Sequence, residues 1–332
     1  MSAKSNELGH WLQRFLREHL SAQRNLSPAT IAAYRDTFRL LLRYLWKSPA
    51  GHARPLLLDA LTPAAVVRFL DHLEHQRGNS VRTRNARLAA IRSFVRYLLD
   101  WLSPDLPPAL SRILSVPFKR QAQRLIGFLC RQEIDALLAA TDDTWTGRRD
   151  HLLFLLLYNT GARISEILAL RMADVDLVSG QVALTGKGRK QRRLPLWPLT
   201  QRRLRCWLKD RQGSAEAPLL PNRFGQRLSR AGAAYQLRRL VHRAAQHVPS
   251  LKQRQVSPHM FRHSTAMAML EADVPIEVIA LDLGHESPKT THPYVEASLS
   301  MKQRALAKVN PPRGTQHRFR LTDDDLRFLD NL

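Results

Sequence analysis

Residues 152–170 read LLFLLLYNTGARISEILAL: an apolar run, a break at Asn159-Thr160-Gly161, and a second apolar segment opened by Arg163. The run Leu152–Tyr158 is the longest apolar stretch of the chain, yet it is far shorter than the roughly 18–20 residues that span a bilayer. No transmembrane helix is expected, and Arg163 stands at the start of a helix in a mainly helical body. The pattern changes once in this half. Between Asp174 and Leu196, residues 181–185 and 190–196 read as short strands, with Gly186-Lys187-Gly188-Arg189 as the turn between them. Residues 129–310 are therefore expected to form an α-helical domain carrying a small antiparallel sheet. Beyond Asn310-Pro311-Pro312, a basic stretch leads to Thr322-Asp323-Asp324-Asp325, an acidic cap for a short helix bearing Leu326, Phe328 and Leu329. That makes 311–332 a tail with a docking helix.

Residues 5–102 read as a small helical bundle. Leu26-Ser27-Pro28 precedes an apolar stripe of Ile31, Tyr34, Phe38, Leu41 and Leu45, which places a serine cap and a first-turn proline where helices begin. The same signature recurs at Leu61-Thr62-Pro63 ahead of Val66, Phe69, Leu70 and Leu73, with the residue before each cap able to staple onto the fourth helical position. A further helix runs from about Ser80 to Leu102 on Leu88, Ile91, Val95 and Leu98. Its other faces carry Arg82, Arg84, Arg87, Arg92 and Arg96 with no acid before Asp100, a face suited to phosphates or simply to solvent. From 103 to 128, Pro104, Pro107, Pro108 and Pro117 break the pattern, and Lys119, Arg120 and Arg124 follow: a basic linker.

The chain has 332 residues, with 52 Lys and Arg against 28 Asp and Glu and a net charge of +24. That length suits two domains with buried cores. The surplus is not confined to a tail, since residues 1–102 already carry 16 basic and 7 acidic residues. It argues for a body that encloses a polyanion. Two cysteines, Cys130 and Cys206, cannot build a disulfide framework, and the first ten residues lack a secretory core, so a cytoplasmic protein is expected. No internal repeat, Walker A loop or GxGxxG is present. His259 and His263 have the spacing of helical metal ligands, but Met260 stands where a zincin has glutamate and no third ligand is evident. Neither metal nor cofactor is expected.

What remains is a set of cations, imidazoles and one tyrosine: Arg163, Lys187 in the turn, His259 and Arg262 in SPHMFRHSTA, His285 in LGHES, and Tyr294. Arginines suit the two non-bridging oxygens of a phosphodiester, and their charge stabilises its transition state. The nucleophile would be a hydroxyl. Singly each residue has a structural reading, such as a buried ion pair, a helix cap or a turn lysine.

Together these residues resemble the tyrosine site-specific recombinases of the phage-integrase and Xer type. The arginine followed by SE, the GKG turn, the HxxR, the LGH and the tyrosine occur in the family's order. Lys187 lies 24 residues after Arg163, His285 lies 23 after Arg262, and Tyr294 lies 9 after His285. The resemblance covers most of 129–298. It implies an N-terminal core-binding, SAM-like helical bundle and a helical catalytic domain that clamp DNA between them. It further implies that Tyr294 attacks the scissile phosphate and forms a 3′-phosphotyrosyl bond without metal or ATP. Arg163 and Arg262 would then hold the phosphate and Lys187 protonate the leaving 5′-oxygen. His259 would assist proton transfer at the tyrosine, and His285 would bond the phosphate. Glu166 matches the family's supporting acid; it either fixes a site arginine or histidine or makes an ordinary surface ion pair. Pro293, directly before Tyr294, departs from many relatives, and it biases His292 toward extended backbone.

The resemblance implies double-stranded DNA as partner, contacted by Arg82, Arg84, Arg87, Arg92, Arg96, Lys119, Arg120, Arg189, Lys190, Arg192 and Arg193. It also implies a tetramer on DNA, of this chain alone or with a related recombinase, with accessory DNA-bending proteins and a nucleoid location. Integration or transposition of a mobile element is the expected role. The alternatives are Xer-like resolution of chromosome or plasmid dimers and relaxation by a type IB topoisomerase-like protein. A non-catalytic DNA-binding regulator would be basic too, but would have no reason to hold all six site residues.

Overall fold

The computed structural model describes residues 7–46, 56–102, 108–121, 127–186, 190–209, 211, 213–284 and 294, and the chain divides after Gln123 into two units of different construction. The first is helical: α1 (Leu8–Arg14) passes into a π-helical stretch, Phe15–Gln23, followed by α2 (Pro28–Trp46), α3 (Pro63–His75), α4 (Val81–Leu102) and α5 (Pro108–Ser111). Local chemistry sets the starts. The Thr62 hydroxyl accepts the Ala65 N–H at 3.1 Å ahead of Pro63, and Leu61 and Val66 are buried in one core. Ser27 and Ser80 accept the Thr30 and Thr83 N–H groups at 3.3 and 3.2 Å for α2 and α4. The π-helical stretch answers a five-residue step between the buried Phe15 and Leu20, which an α-helix would place on different faces. Phe94 meets Phe15 and Phe38 edge to face at 5.3 Å in the centre of this core.

The stretch 103–128 is only partly the expected linker. Pro108 begins α5, a 3-10 turn (Arg112–Ser115) follows, and Leu110, Ile113 and Val116 are buried in the N-terminal core. Proline breaks a helix from within but is well placed at the first position of a new one, so a Pro-rich stretch can still fold onto its neighbour.

The second unit is built on α7 (Trp145–Thr160), in which every residue from Leu152 to Thr160 is buried. Thr144 caps it by accepting the Gly147 N–H at 3.0 Å, and Gly161 ends it in the left-handed region at φ +58°. Four helices pack directly on α7: α6 (Arg131–Ala139), α8 (Ile164–Ala169), α9 (Pro198–Lys209) and α11 (Pro258–Glu271). Helix α10 (Arg230–Ala244) lies on α6 and α8, and α12 (Ile276–Leu283) lies on α11. An antiparallel sheet of β1 (Val175–Asp176), β2 (Gln181–Thr185) and β3 (Gln191–Pro195) runs in that order. Val182 pairs with Leu194 and Leu184 with Arg192, so the inward face carries three buried aliphatics and one arginine. Among the described residues no helix is long and apolar enough to cross a membrane.

Candidate active site

The end of α7 organises the site. At Gly161 an added Cβ would fall 2.5 Å from Leu283 Cδ2, so both the positive φ and the close approach of α12 require glycine. Thr265 donates its hydroxyl hydrogen to the Tyr158 carbonyl at 2.7 Å and thereby ties α11 to α7. One turn earlier on α11, Arg262 is 1% exposed and donates Nη1 to the Gly161 carbonyl at 2.9 Å. Its Nη2 is buried with no hydrogen-bond partner among the described residues. Two residues past the glycine, Arg163 forms the N-cap of α8. The two arginines are thus placed by the same turn of backbone.

Glu166 holds the cations in register. Its carboxylate accepts the Arg163 N–H at 3.0 Å, Arg163 Nη1 at 2.9 Å and Arg192 Nη2 at 2.7 Å. Arg192 also donates Nε to the Asp282 carbonyl at 3.1 Å, linking β3 to the end of α12. Gly284 makes room for this: at φ +65°, an added Cβ would sit 3.0 Å from the Arg192 guanidinium.

Burial alone would raise the Glu166 carboxyl, but hydrogen bonds from Arg192 and from the Arg163 backbone, with the charge of Arg192, hold it below the usual carboxylate range. Arg262 is pulled down to about 10 by burial and then by the neighbouring charge of Arg163, and so remains a cation at neutral pH. Tyr294, 3% exposed, is pushed up by burial and pulled back by the positive charges of Arg262 and Arg163. Its ring packs with Ala266, Met267, Leu270, Ile279 and Leu283 of α11 and α12. Its hydroxyl lies 2.8 Å from His263 Nδ1. His259 meets the His263 ring edge to face, with centroids 4.4 Å apart.

The structure therefore brings together Arg163, Glu166, Arg262 and Tyr294, with the exposed His259 one ring away from the phenol. Lys187, Arg189 and His285 lie outside the described residues. Gly186, whose N–H closes the turn onto the Lys190 carbonyl at 2.8 Å, borders the site: an added Cβ there would be 3.3 Å from Glu166 Oε1. The imidazole against the tyrosine is His263; His259, to which the resemblance gives proton transfer at the tyrosine, lies one ring further away. Helix α12 packs on the C-terminal half of α11, which draws Tyr294 toward the later histidine. The signal was present as a second histidine one turn on, on the same face.

Several arginines expected on DNA are occupied within the fold. Arg84 is buried, 3.6 Å from Glu74; Arg87 donates to Thr37 Oγ1 at 2.8 Å and to the Ala33 carbonyl; Arg92 donates to the Leu114 carbonyl and lies over the Phe118 ring. These groups lash α4 to its neighbours. Arg192 is committed to Glu166, and Lys119 pairs with Glu74 at 2.7 Å while remaining partly exposed. Arg82, Arg96, Arg120, Lys190 and Arg193 are exposed.

The phage integrase family profile matches residues 127–300, and that of the phage integrase N-terminal SAM-like domain matches residues 12–100. Over 331 residues the chain is 43% identical to the integrase/recombinase y4rC of Sinorhizobium fredii (strain NBRC 101917 / NGR234), covering 99% of each. It is 34% identical to tyrosine recombinase XerC of Pelobacter propionicus over 304 residues, 91% of this chain and 96% of the relative. Among solved structures, the fold is similar to that of the Tn1549 transposon integrase in complex with transposon right end DNA (TM-score 0.68, 14% identity, 90% of this chain and 97% of the other). It is also similar to that of XerH bound to difH substrate (TM-score 0.64, 21% identity, 86% and 80%).

Proposed function

Because the chain belongs to the phage integrase family of tyrosine recombinases, enzymes that cleave and rejoin DNA, we propose that it exchanges strands between two duplexes through a 3′-phosphotyrosyl intermediate on Tyr294, in the service of a mobile element. One observation supports the assignment of the nucleophile: the buried Tyr294 hydroxyl lies 2.8 Å from His263 Nδ1, on the helix that also carries Arg262. Burial holds the phenol above its ordinary value, while the charges of Arg262 and Arg163 oppose that shift and favour an incoming phosphate. Arg262 offers Nη2 to a non-bridging oxygen and Arg163 offers its half-exposed guanidinium, while Glu166 keeps the arginines from repelling one another. Lys187 supplies the proton to the leaving 5′-oxygen, and His285 bonds the phosphate. Energy stored in the protein–phosphate ester drives rejoining, so the chemistry calls for no ATP.

The test is a suicide DNA substrate that traps the covalent adduct. Tyr294→Phe is expected to bind duplex as the wild type does and to form no adduct; an adduct from the Phe variant would refute the assignment. The mobile-element role is supported by similarity to y4rC and, in fold, to a transposon integrase. Similarity to XerC supports a second reading, resolution of replicon dimers. Excision of a marked segment flanked by the gene's own genomic borders, against resolution of a plasmid dimer, separates the two. Robust relaxation of plasmid lacking a target would favour a topoisomerase. The proposal includes a tetramer on DNA, of this chain or with a related recombinase, accessory bending proteins and a cytoplasmic, nucleoid-bound location. The 322–332 segment is proposed to dock on a neighbouring protomer: deleting 321–332 is expected to abolish synapsis, and unchanged strand exchange would exclude that role.

A further inference from the structure

We infer that His263 is the catalytic base that takes the proton from Tyr294, a role that rests on Tyr294 being the nucleophile. The two groups touch: Nδ1 and Oη are 2.8 Å apart, with the rings tilted at 55° and their centroids at 5.4 Å. His259 stands one ring further back, edge-on to His263. Helix α11 therefore presents Arg262 and His263 side by side, the first toward the Gly161 carbonyl and the second to the phenol.

The chemistry requires such a base. An ordinary phenol ionises near pH 10, so roughly one tyrosine in a thousand is a phenolate at pH 7, whereas an ordinary imidazole is mostly neutral there and able to accept. Burial makes the Tyr294 proton harder to lose still, against the opposing pull of Arg262 and Arg163. With its proton on Nε2, His263 accepts through Nδ1. As the Tyr294 Oη–phosphorus bond forms, the phenol proton passes to His263 Nδ1; the phosphorus–O5′ bond breaks, and O5′ takes a proton from the acid assigned above to Lys187. In rejoining, the imidazolium returns its proton to the phenol. Among the described residues, the charged and titratable groups around this exchange are His259 and Arg262 on α11, Arg163 at the N-cap of α8, Glu166 on α8, Arg192 on β3 and Asp282 on α12. The incoming phosphate offsets the new imidazolium charge.

The experiment is single-turnover cleavage of a suicide duplex by the full chain between pH 6 and 9. His263→Asn keeps a hydrogen-bonding atom near the Nδ1 position without its basicity. We expect this variant to bind duplex within twofold of wild type and to cleave about 100-fold or more slowly at pH 7. Its rate should climb tenfold per pH unit as hydroxide replaces the lost base, a steeper rise than that of the wild type. A 5′-bridging phosphorothiolate, whose thiolate leaves without a proton, is expected to relieve Lys187→Ala and not His263→Asn. Wild-type rates in His263→Asn, a pH profile parallel to wild type, or full relief by the sulfur substrate would each overturn the proposal. Should asparagine disturb the fold, His263→Ala with added imidazole replaces it: rescue that follows the free-base concentration supports the role, and no rescue overturns it. Tyr294→Phe serves as the separate control. An adduct from that variant defeats the nucleophile assignment, whereas a silent Tyr294→Phe with an unaffected His263→Asn defeats only the role of His263.

Discussion

Replacing Glu166 by glutamine changes almost no volume and removes a carboxylate that faces Arg163 and Arg192 together. Two pairs are broken unequally. Arg163 is two-fifths exposed in its side chain, and a screened pair of that kind contributes less than about 1 kcal/mol. The Glu166–Arg192 pair, 4% and 15% exposed, is shut away from water. Breaking a buried pair costs about 3–5 kcal/mol, reduced here because the glutamine oxygen still accepts one hydrogen bond. A loss of about 2–3 kcal/mol follows. At about 2–4 °C per kcal/mol for a unit of this size, Tm should fall by roughly 5–10 °C at neutral pH.

The pH dependence gives the charge its signature. The folded Glu166 carboxyl titrates below its ordinary value of 4.5, so its stabilisation is fully present above that value. It is lost as pH falls through the lowered, folded-state value. The glutamine variant has nothing to lose there, and the two melting curves should converge as the pH is lowered. Calorimetric or far-ultraviolet melts from pH 7 to pH 3 measure this. A glutamine variant that melts within 1 °C of wild type at neutral pH, or a gap that stays constant with pH, would refute the reasoning.

Gly284→Ala places a Cβ 3.0 Å from the Arg192 guanidinium at φ +65°; a cost of about 1–2 kcal/mol in thermal melts and slower adduct formation are expected. Arg96→Ala should lower the salt slope of duplex binding by about 1 with Tm unchanged, because that side chain is exposed. Arg92→Ala should do the reverse, losing about 1–2 kcal/mol of stability with the slope unchanged, since its guanidinium serves the Leu114 carbonyl and the Phe118 ring. Anisotropy titrations across salt, paired with melts, separate the two variants.

Helix starts at Ser27, Thr62 and Ser80 were legible because a cap is a contact within four residues, and strands β2 and β3 were legible because the Gly-rich turn and the alternation are local too. The five-residue step that produces the π-helical stretch falls outside the 3.6-residue period used to recognise helices. Residues 108–116 hid their packing behind prolines. In the site, the family resemblance pointed to Arg163, Arg262 and Tyr294, which the fold brings together. It did not point to the imidazole that meets the phenol, because that depends on the packing of α12 and Tyr294 against residues 266–270 of α11. Charge misled in the same way on α4: arginine reads as cation, but whether it meets phosphate or a neighbouring carbonyl is decided in three dimensions.

The pairing of β2 with β3 acts as a gauge for the active site. With Leu184 opposite Arg192, the guanidinium points inward to Glu166 and to the end of α12, while Arg193 points outward to solvent. A slip of one residue would exchange these two faces. Glu166 and the Asp282 carbonyl would lose their shared cation, and the α12 end that leads to His285 would lose its anchor to the sheet. The length of the loop between 186 and 190 therefore decides where Arg192 points, and changing it by a single residue is expected to slow adduct formation on a suicide duplex.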